Sequence, residues 1–280
     1  MQKENLINGM TLEEMKRIVL EAEGGQFITE EARKRNEEFG ELAQTPEDTR
    51  AFSWQHIMNH MEVSEHMTPN QKGALLYLAT FLKIGKCGEL LKKASTLTDV
   101  SKLFERTTEA TRKILRECEK VGAVELTKVK GRYQITFTDL LYSCGKRGKV
   151  KDTHVKLFKR EMQDYAKKLE LNELGLLADM LAYFRKDLHI LCENPTEDDI
   201  EKVRVYKPTK VFEKLGYDKD FVRKALKKFN DIGITLEIKT LGIKVVCLSP
   251  EIVSRKGRMV TIADIKKVAS LHRLTTKHYV

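Results

Sequence analysis

The sequence predicts a mainly α fold with small β-hairpins, built from one motif that is used twice. Three observations predict it: an ungapped internal repeat, an apolar stripe at helical spacing in both copies, and a pair of strand-like runs after each stripe. Shifted by 111 positions, the stretch from Val100 to Leu141 falls on the one beginning at Val211. Arg112 then meets Arg223, Lys113 meets Lys224, Leu115 meets Leu226, Gly122 meets Gly233, Lys128 meets Lys239 and Gly131 meets Gly242.

Residues 1–67 are expected to form an acidic, helical N-terminal arm. In TLEEMKRIVLEAE, Leu12, Met15, Val19 and Ala22 recur at helical spacing, and the highly charged EEARKRNEEFGELA suits a solvated helix or arm. Ala51 to Met61 reads as a helix that carries the single tryptophan, Trp54, and packs on the first unit. On it His56 and His60 stand four apart, with His66 beyond. That spacing can hold a metal, but no HExxH glutamate and no nearby cysteine accompany it, so packing or surface histidines are expected and no metal.

The first unit is expected over residues 68–145. A helix begins near Thr68 in TPNQKGALLYLATFLK, and a short helix and a turn follow. Thr107 or Thr108 can cap the next helix by offering a side-chain oxygen to its free N–H groups. Thr111, Ile114, Leu115, Cys118 and Val121 form that helix's core stripe, and Gly122 closes it as a residue that accepts positive φ. Strands from Val124 to Val129 and from Tyr133 to Phe137 flank a turn at Lys130-Gly131. Helix, turn, helix and hairpin together make a winged helix-turn-helix.

Residues 146–169 read as a basic linker and connecting helix, because Val155, Phe158, Met162, Tyr165 and Leu169 recur at helical spacing. That leaves Lys146, Arg147, Lys149 and Lys151 as candidate phosphate contacts, with Lys156, Lys159 and Arg160 completing an exposed ridge. The second unit spans 170–257. Its first helix aligns with that of the first unit at a shift of 102, which puts Asn172 on Asn70 and Gly175 on Gly73. The difference between the two shifts is nine extra residues within LHILCENPTEDDIEKVRVYKP, acidic and proline-containing, expected as a surface loop. Asp218 is the corresponding cap, Val222, Ala225, Leu226, Phe229 and Ile232 the stripe, Gly233 the stop, and Leu236 to Thr240 and Ile243 to Leu248 the hairpin. A helical tail over 258–280 closes the chain, with its helix around Ile262 to Leu271.

Composition narrows the function. At about 150 residues per domain, 280 residues suit two domains. No apolar run approaches the roughly 20 residues of a membrane span, and the N-terminus lacks the apolar region of a secretory signal, so a cytoplasmic protein is expected. Five dispersed cysteines without a CxxC pair read as reduced packing thiols. The net charge of +10 divides into −7 over residues 1–67, with 7 basic and 14 acidic side chains, and +17 over the remainder. A basic excess confined to the repeats is the footprint of a phosphate-binding surface. No GxxxxGK[ST], GxSxG or HExxH occurs, and neither an enzyme nor a cofactor is expected.

In a helix-turn-helix the second helix commonly enters the major groove. Subtracting the buried stripe leaves Thr108, Glu109, Ala110, Arg112, Lys113 and Arg116 facing outward in the first unit, and Lys219, Asp220, Phe221, Arg223, Lys224 and Lys227 in the second. Arg112 and Arg223 lead as base contacts because the guanidinium fork can donate two hydrogen bonds to guanine O6 and N7. Lys113, Arg116, Lys224 and Lys227 are expected on phosphates, which set register and affinity. Lys128, Lys130 and Arg132 at the first wing and Lys239 and Lys244 at the second can follow the backbone, although Leu241 occupies the second tip. The expected partner is double-stranded DNA, bound by a monomer or homodimer at an imperfect inverted or direct repeat.

Tandem units related by internal pseudo-symmetry resemble plasmid replication initiators. VVCLSPEIVSRKG, where a wing strand runs into SPEI and a basic-glycine turn, and LHILCENP are similar to segments of winged-helix proteins of Firmicute phages and plasmids, including RepL-type initiators. The resemblance implies DNA binding in replication initiation or control, with the acidic arm available to replication or transcription proteins. Two other readings stay open at this point: a repressor of phage or mobile-element genes, and an adaptor whose winged helices dock proteins.

Overall fold

The computed structural model describes residues 46–86, 88–145, 153–186, 189–197, 199–207, 215–240, 243–271 and 275–280. Glu47–Val280 forms one compact unit. The first 45 residues of the expected arm lie outside the described residues.

The segment just before the first expected unit is a strand, β1 (Phe52–His56), followed by helix α1 (Ile57–Ser64). Helix α2 (Pro69–Ala79) starts at Thr68, whose backbone N–H donates to Gln71 Oε1 at 2.6 Å in a capping box. Then come α3 (Leu97–Leu103), α4 (Thr108–Lys120), the hairpin β2 (Val124–Val129) and β3 (Arg132–Phe137), and a short strand β4 (Tyr142–Ser143). Among the described residues the second half follows this order with β5 (His154–Phe158), α5 (Lys159–Ala166), α6 (Leu171–Met180), α7 (Lys219–Asp231), the hairpin β6 (Thr235–Thr240) and β7 (Ile243–Leu248), and β8 (Val253–Ser254), the positions equivalent to α3, 208–214, lying outside the described residues. Helix α8 (Ile262–Leu271) follows.

These elements correct the expected fold class. The chain is not a mainly α pair of separate winged-helix domains on a basic linker helix: a four-stranded antiparallel sheet in the order β4-β1-β5-β8 joins the two halves. The expected linker helix is half strand, because Val155, Leu157 and Phe158 are all fully buried in an inner strand covered on both faces. The helix read over Ala51 to Met61 begins only at Ile57, since Phe52 to His56 pairs along its whole length with β5. Within the supposed exposed ridge, Lys156 and Lys159 are buried. The Lys156 ammonium lies over the rings of Phe52 (4.7 Å) and Trp54 (5.9 Å), and Lys159 donates to the Leu82 carbonyl.

The register of the central pair shows why the halves fuse. Trp54 pairs with Lys156, its own counterpart at the shift of 102, and the pairs Phe52–Phe158 and His56–His154 flank it symmetrically. A pseudo-two-fold axis therefore passes through the middle of the sheet, and β4 and β8 take equivalent places at its two edges. The same axis relates α2 to α6. Their crossing is so close that a Cβ on Gly73 would stand 1.8 Å from the Leu171 carbonyl oxygen, and one on Gly175 2.0 Å from that of Pro69. Glycine at both positions is the condition for this backbone contact. Glu170 repeats the capping box of Thr68, with its N–H bonded to Glu173 Oε2 at 2.8 Å.

The second unit's insertion is not simply a surface loop. Ile190, Leu191, Cys192, Val203 and Val205 are buried, Ile190 bridges Cys247 on β7, and Cys192 bridges Val205, so its apolar flanks cover the edge of the second hairpin.

Candidate nucleic-acid interface

Each candidate reading helix is set by a cap and a stripe. Thr107 Oγ1 accepts from Ala110 N at 3.2 Å to start α4, and Asp218 Oδ1 accepts from Phe221 N at 2.9 Å to start α7. Thr111, Leu115 and Cys118 bury one face of α4, and Val222, Ala225 and Phe229 bury the matching face of α7. Burial pushes the Cys118 thiol up to about 12, in keeping with a packing residue. Both helices end at a positive-φ glycine, Gly122 at 73° and Gly233 at 84°.

With those faces buried, the predicted residues come to the surface. Thr108, Glu109 and Lys113 are exposed and Arg112 and Arg116 partly so; Lys219, Asp220, Arg223, Lys224 and Lys227 are all exposed. Lys128, Lys130 and Arg132 are exposed on the first hairpin, where Val129 pairs with Arg132 across a two-residue turn. Lys130 (φ 47°) and Gly131 (φ 80°) make it a type I′ turn, whose twist matches the strands. Lys239 and Lys244 are exposed and sit directly opposite each other. Their repulsion is eased by Glu237, 2.5 Å from Lys244 Nζ. Leu241 at the second turn and the linker cations Lys146, Arg147, Lys149 and Lys151 lie outside the described residues.

Local acids currently hold several of the cations. Arg112 pairs with Glu109 at 3.2 Å, Arg116 with Glu119 at 2.7 Å and Arg223 with Asp220 at 3.2 Å. Exposed pairs of this kind are weakened by solvent screening, so a phosphate or guanine edge can replace the carboxylate at little cost. Glu119 also accepts from Leu126 N at 2.8 Å, fastening α4 to its hairpin.

Sequence reasoning missed two groups. Tyr133, on β3, lies beneath both arginines of α4, 5.8 Å from the guanidinium carbon of Arg112 and 5.3 Å from that of Arg116. The second is a buried polar cluster across the pseudo-dyad: Asp179 on α6 accepts from Lys72 Nζ and Tyr217 OH, each at 2.8 Å, and meets His60 Nε2 at 2.8 Å. Burial alone would raise the Asp179 carboxyl, but the hydrogen bond and charge of His60 and the Lys72 ammonium outweigh it and hold it below the usual carboxylate range. His60 is thus a buried hydrogen-bond partner of Asp179, and among the described residues no three His, Cys, Asp or Glu side chains lie together as a metal site. The cluster forms one wall of a cleft of about 480 Å³ that reaches the turn before α7. A cleft of about 400 Å³ occupies the equivalent place on the other side, with Tyr77 where Asp179 stands.

Comparison with protein-family models, with curated proteins and with solved structures finds no match to this chain. Among the described residues no helix is long and apolar enough to cross a membrane.

Proposed function

We propose that this chain is a sequence-specific binder of double-stranded DNA that engages a two-part site, one helix-and-hairpin unit to each half, in replication initiation or its control on a phage or plasmid. The observation that carries this reading is the placement of two cation-bearing helices, α4 and α7, at equivalent positions of one compact unit built about the β1–β5 pair. Duplex DNA has two-fold symmetry between its antiparallel strands, and proteins with matching symmetry place equivalent helices in successive major grooves. A pseudo-dyad favours half-sites in inverted orientation over a direct repeat. Because Thr108 and Glu109 stand where the second unit has Lys219 and Asp220, the two halves of the site differ in sequence. The likeness of VVCLSPEIVSRKG to segments of plasmid initiators supports the replication role.

The test is selection of bound fragments from random duplexes and from phage and plasmid DNA, followed by a salt titration on the winner. The expected result is an imperfect inverted repeat at an origin, with log K falling by about 0.9 per log unit of salt for each neutralised phosphate. A repeat recovered at promoters would move the role to transcription control. No motif together with a shallow salt slope would overturn DNA binding and point to a protein partner.

A further inference from the structure

The two units present different chemistry at equivalent places, and the difference centres on one hairpin residue. In the first unit, Arg112 and Arg116 stand one helical turn apart on the outer face of α4, and both guanidinium groups lie over the ring of the half-buried Tyr133. Arg116 is further braced by Glu119, which is itself tied to the backbone of β2. In the second unit the three positions become Arg223, Lys227 and Lys244. The ring of Tyr133 has no counterpart in the hairpin itself: the Lys244 backbone exchanges hydrogen bonds with the Tyr279 hydroxyl, the Lys244 ammonium is taken by Glu237, and Arg223 pairs with the solvent-exposed Asp220.

We infer that Tyr133 is a positioning residue that holds Arg112 and Arg116 as a preorganised pair of guanine readers, so that most of the sequence information in the DNA site lies in the half bound by the first unit. The inference rests on the DNA-binding reading above. An arginine side chain carries large rotamer freedom, which a base contact must freeze; a guanidinium already held over a ring has less to lose. Its planar fork then faces the groove as two parallel donors, matching guanine O6 and N7. Lys227 has no fork, and Lys219, Lys224 and Lys227 are exposed point charges suited to phosphates. The second half-site is therefore held by its backbone and read only loosely, and Arg116 moves from phosphate contact to base contact.

The experiment is selection from a randomised duplex library with the wild-type chain, Tyr133→Phe and Tyr133→Ala, followed by competition between the consensus and duplexes with either half scrambled. A thermal melt of each variant confirms that it is folded. For the wild type, scrambling the guanine-containing half should weaken binding roughly 10- to 100-fold, and scrambling the other half only about threefold. Tyr133→Phe keeps the ring but removes the hydroxyl bonded to Arg116, so it should keep most of this pattern. Tyr133→Ala should lose about tenfold of the discrimination in the first half while its salt slope stays unchanged, since phosphate contacts do not pass through Tyr133. A double variant, Lys227→Arg with Lys244→Tyr, should add guanine preference to the second half. Equal information in both wild-type halves, or unchanged discrimination in a folded Tyr133→Ala, overturns this inference alone. Failure of the wild type to select any motif overturns the DNA reading and the inference with it.

Discussion

Replacing Gly73 with alanine sets two ordinary effects against each other. Helix propensity favours alanine by about 1 kcal/mol in a helix interior, so from sequence alone the change should stabilise α2. The crossing with α6 reverses the sign. The new Cβ would stand 1.8 Å from the Leu171 carbonyl oxygen and 2.8 Å from Gly175 N, both backbone atoms that no rotamer change can move away. Optimal non-bonded separations are about 3.5 Å, so the helices must part by roughly 1.5 Å, and a gap of that size forfeits much of the dispersion along their contact. Overpacking of this kind costs about 1–3 kcal/mol, and its upper end applies where backbone meets backbone. The net expectation is a loss of about 2 kcal/mol, or a fall of about 1 M in the urea midpoint at a slope of about 2 kcal/mol/M. Gly257, exposed and with nothing within 4 Å of its Cβ position, is the control, and Gly257→Ala should leave the midpoint unchanged. A midpoint for Gly73→Ala at or above wild type would refute the close crossing, and with it the fusion of the halves about the pseudo-dyad. Adding Gly175→Ala should cost less than it does alone, because the helices have already separated.

Asp179→Ala strands the buried Lys72 ammonium and should cost about 3–5 kcal/mol by chemical denaturation. Because the Asp179 carboxyl is held below its ordinary value, its contribution is full above the unfolded value near 4 and is lost as pH falls through the lower folded value. The stability gap between wild type and Asp179→Asn should therefore narrow as pH falls from 5 toward 3; a gap unchanged over that range would remove the carboxylate's role. Thr107→Ala and Asp218→Ala each delete a helix cap and should each lower stability by about 1 kcal/mol in the same assay.

What could be read from the sequence follows from how strongly each element signals itself. Helices α4 and α7 carry caps, an unbroken stripe and a terminal glycine, and the hairpins carry alternation around a glycine turn; these local rules need no knowledge of the rest of the chain. Strand β5 signals itself too briefly: HVKLF alternates His154 and Lys156 with Val155 and Leu157 over only four residues, and the apolar spacing from Val155 through Phe158 and Met162 continues into the helix that follows, so the strand reads as its first turn. Strand β1 is hidden in the same way behind FSWQH, and the repeat could be traced only to Thr68 because Trp54 and Lys156, equivalent in space, share no chemistry. The pairing of Gly73 with Gly175 was visible, but sequence gives no indication that the two glycines touch each other. In the site, the outward cations followed from subtracting the stripe. Tyr133 did not, because its role arises from a hairpin folding back on a helix.

On the proposed DNA-binding reading, the corrected fold changes what the site must look like. Two domains on a flexible basic linker could follow half-sites moved apart, whereas α4 and α7 here are fixed by one sheet and one glycine-to-glycine helix crossing. Their separation is a property of the folded core, and the spacing of the half-sites is determined by it. Inserting about 5 base pairs between the halves turns the second major groove to the opposite face of the duplex, and inserting about 10 restores the face but moves it by a full turn of roughly 34 Å. A unit whose halves stay joined by this sheet and helix crossing cannot reach either arrangement. Both insertions should reduce affinity to that of a duplex carrying one intact half, with a correspondingly shallower salt slope. Recovery of affinity at the 10-base-pair insertion, measured by competition at fixed salt, would show that the halves separate on DNA and would return the linker to the role the sequence suggested for it.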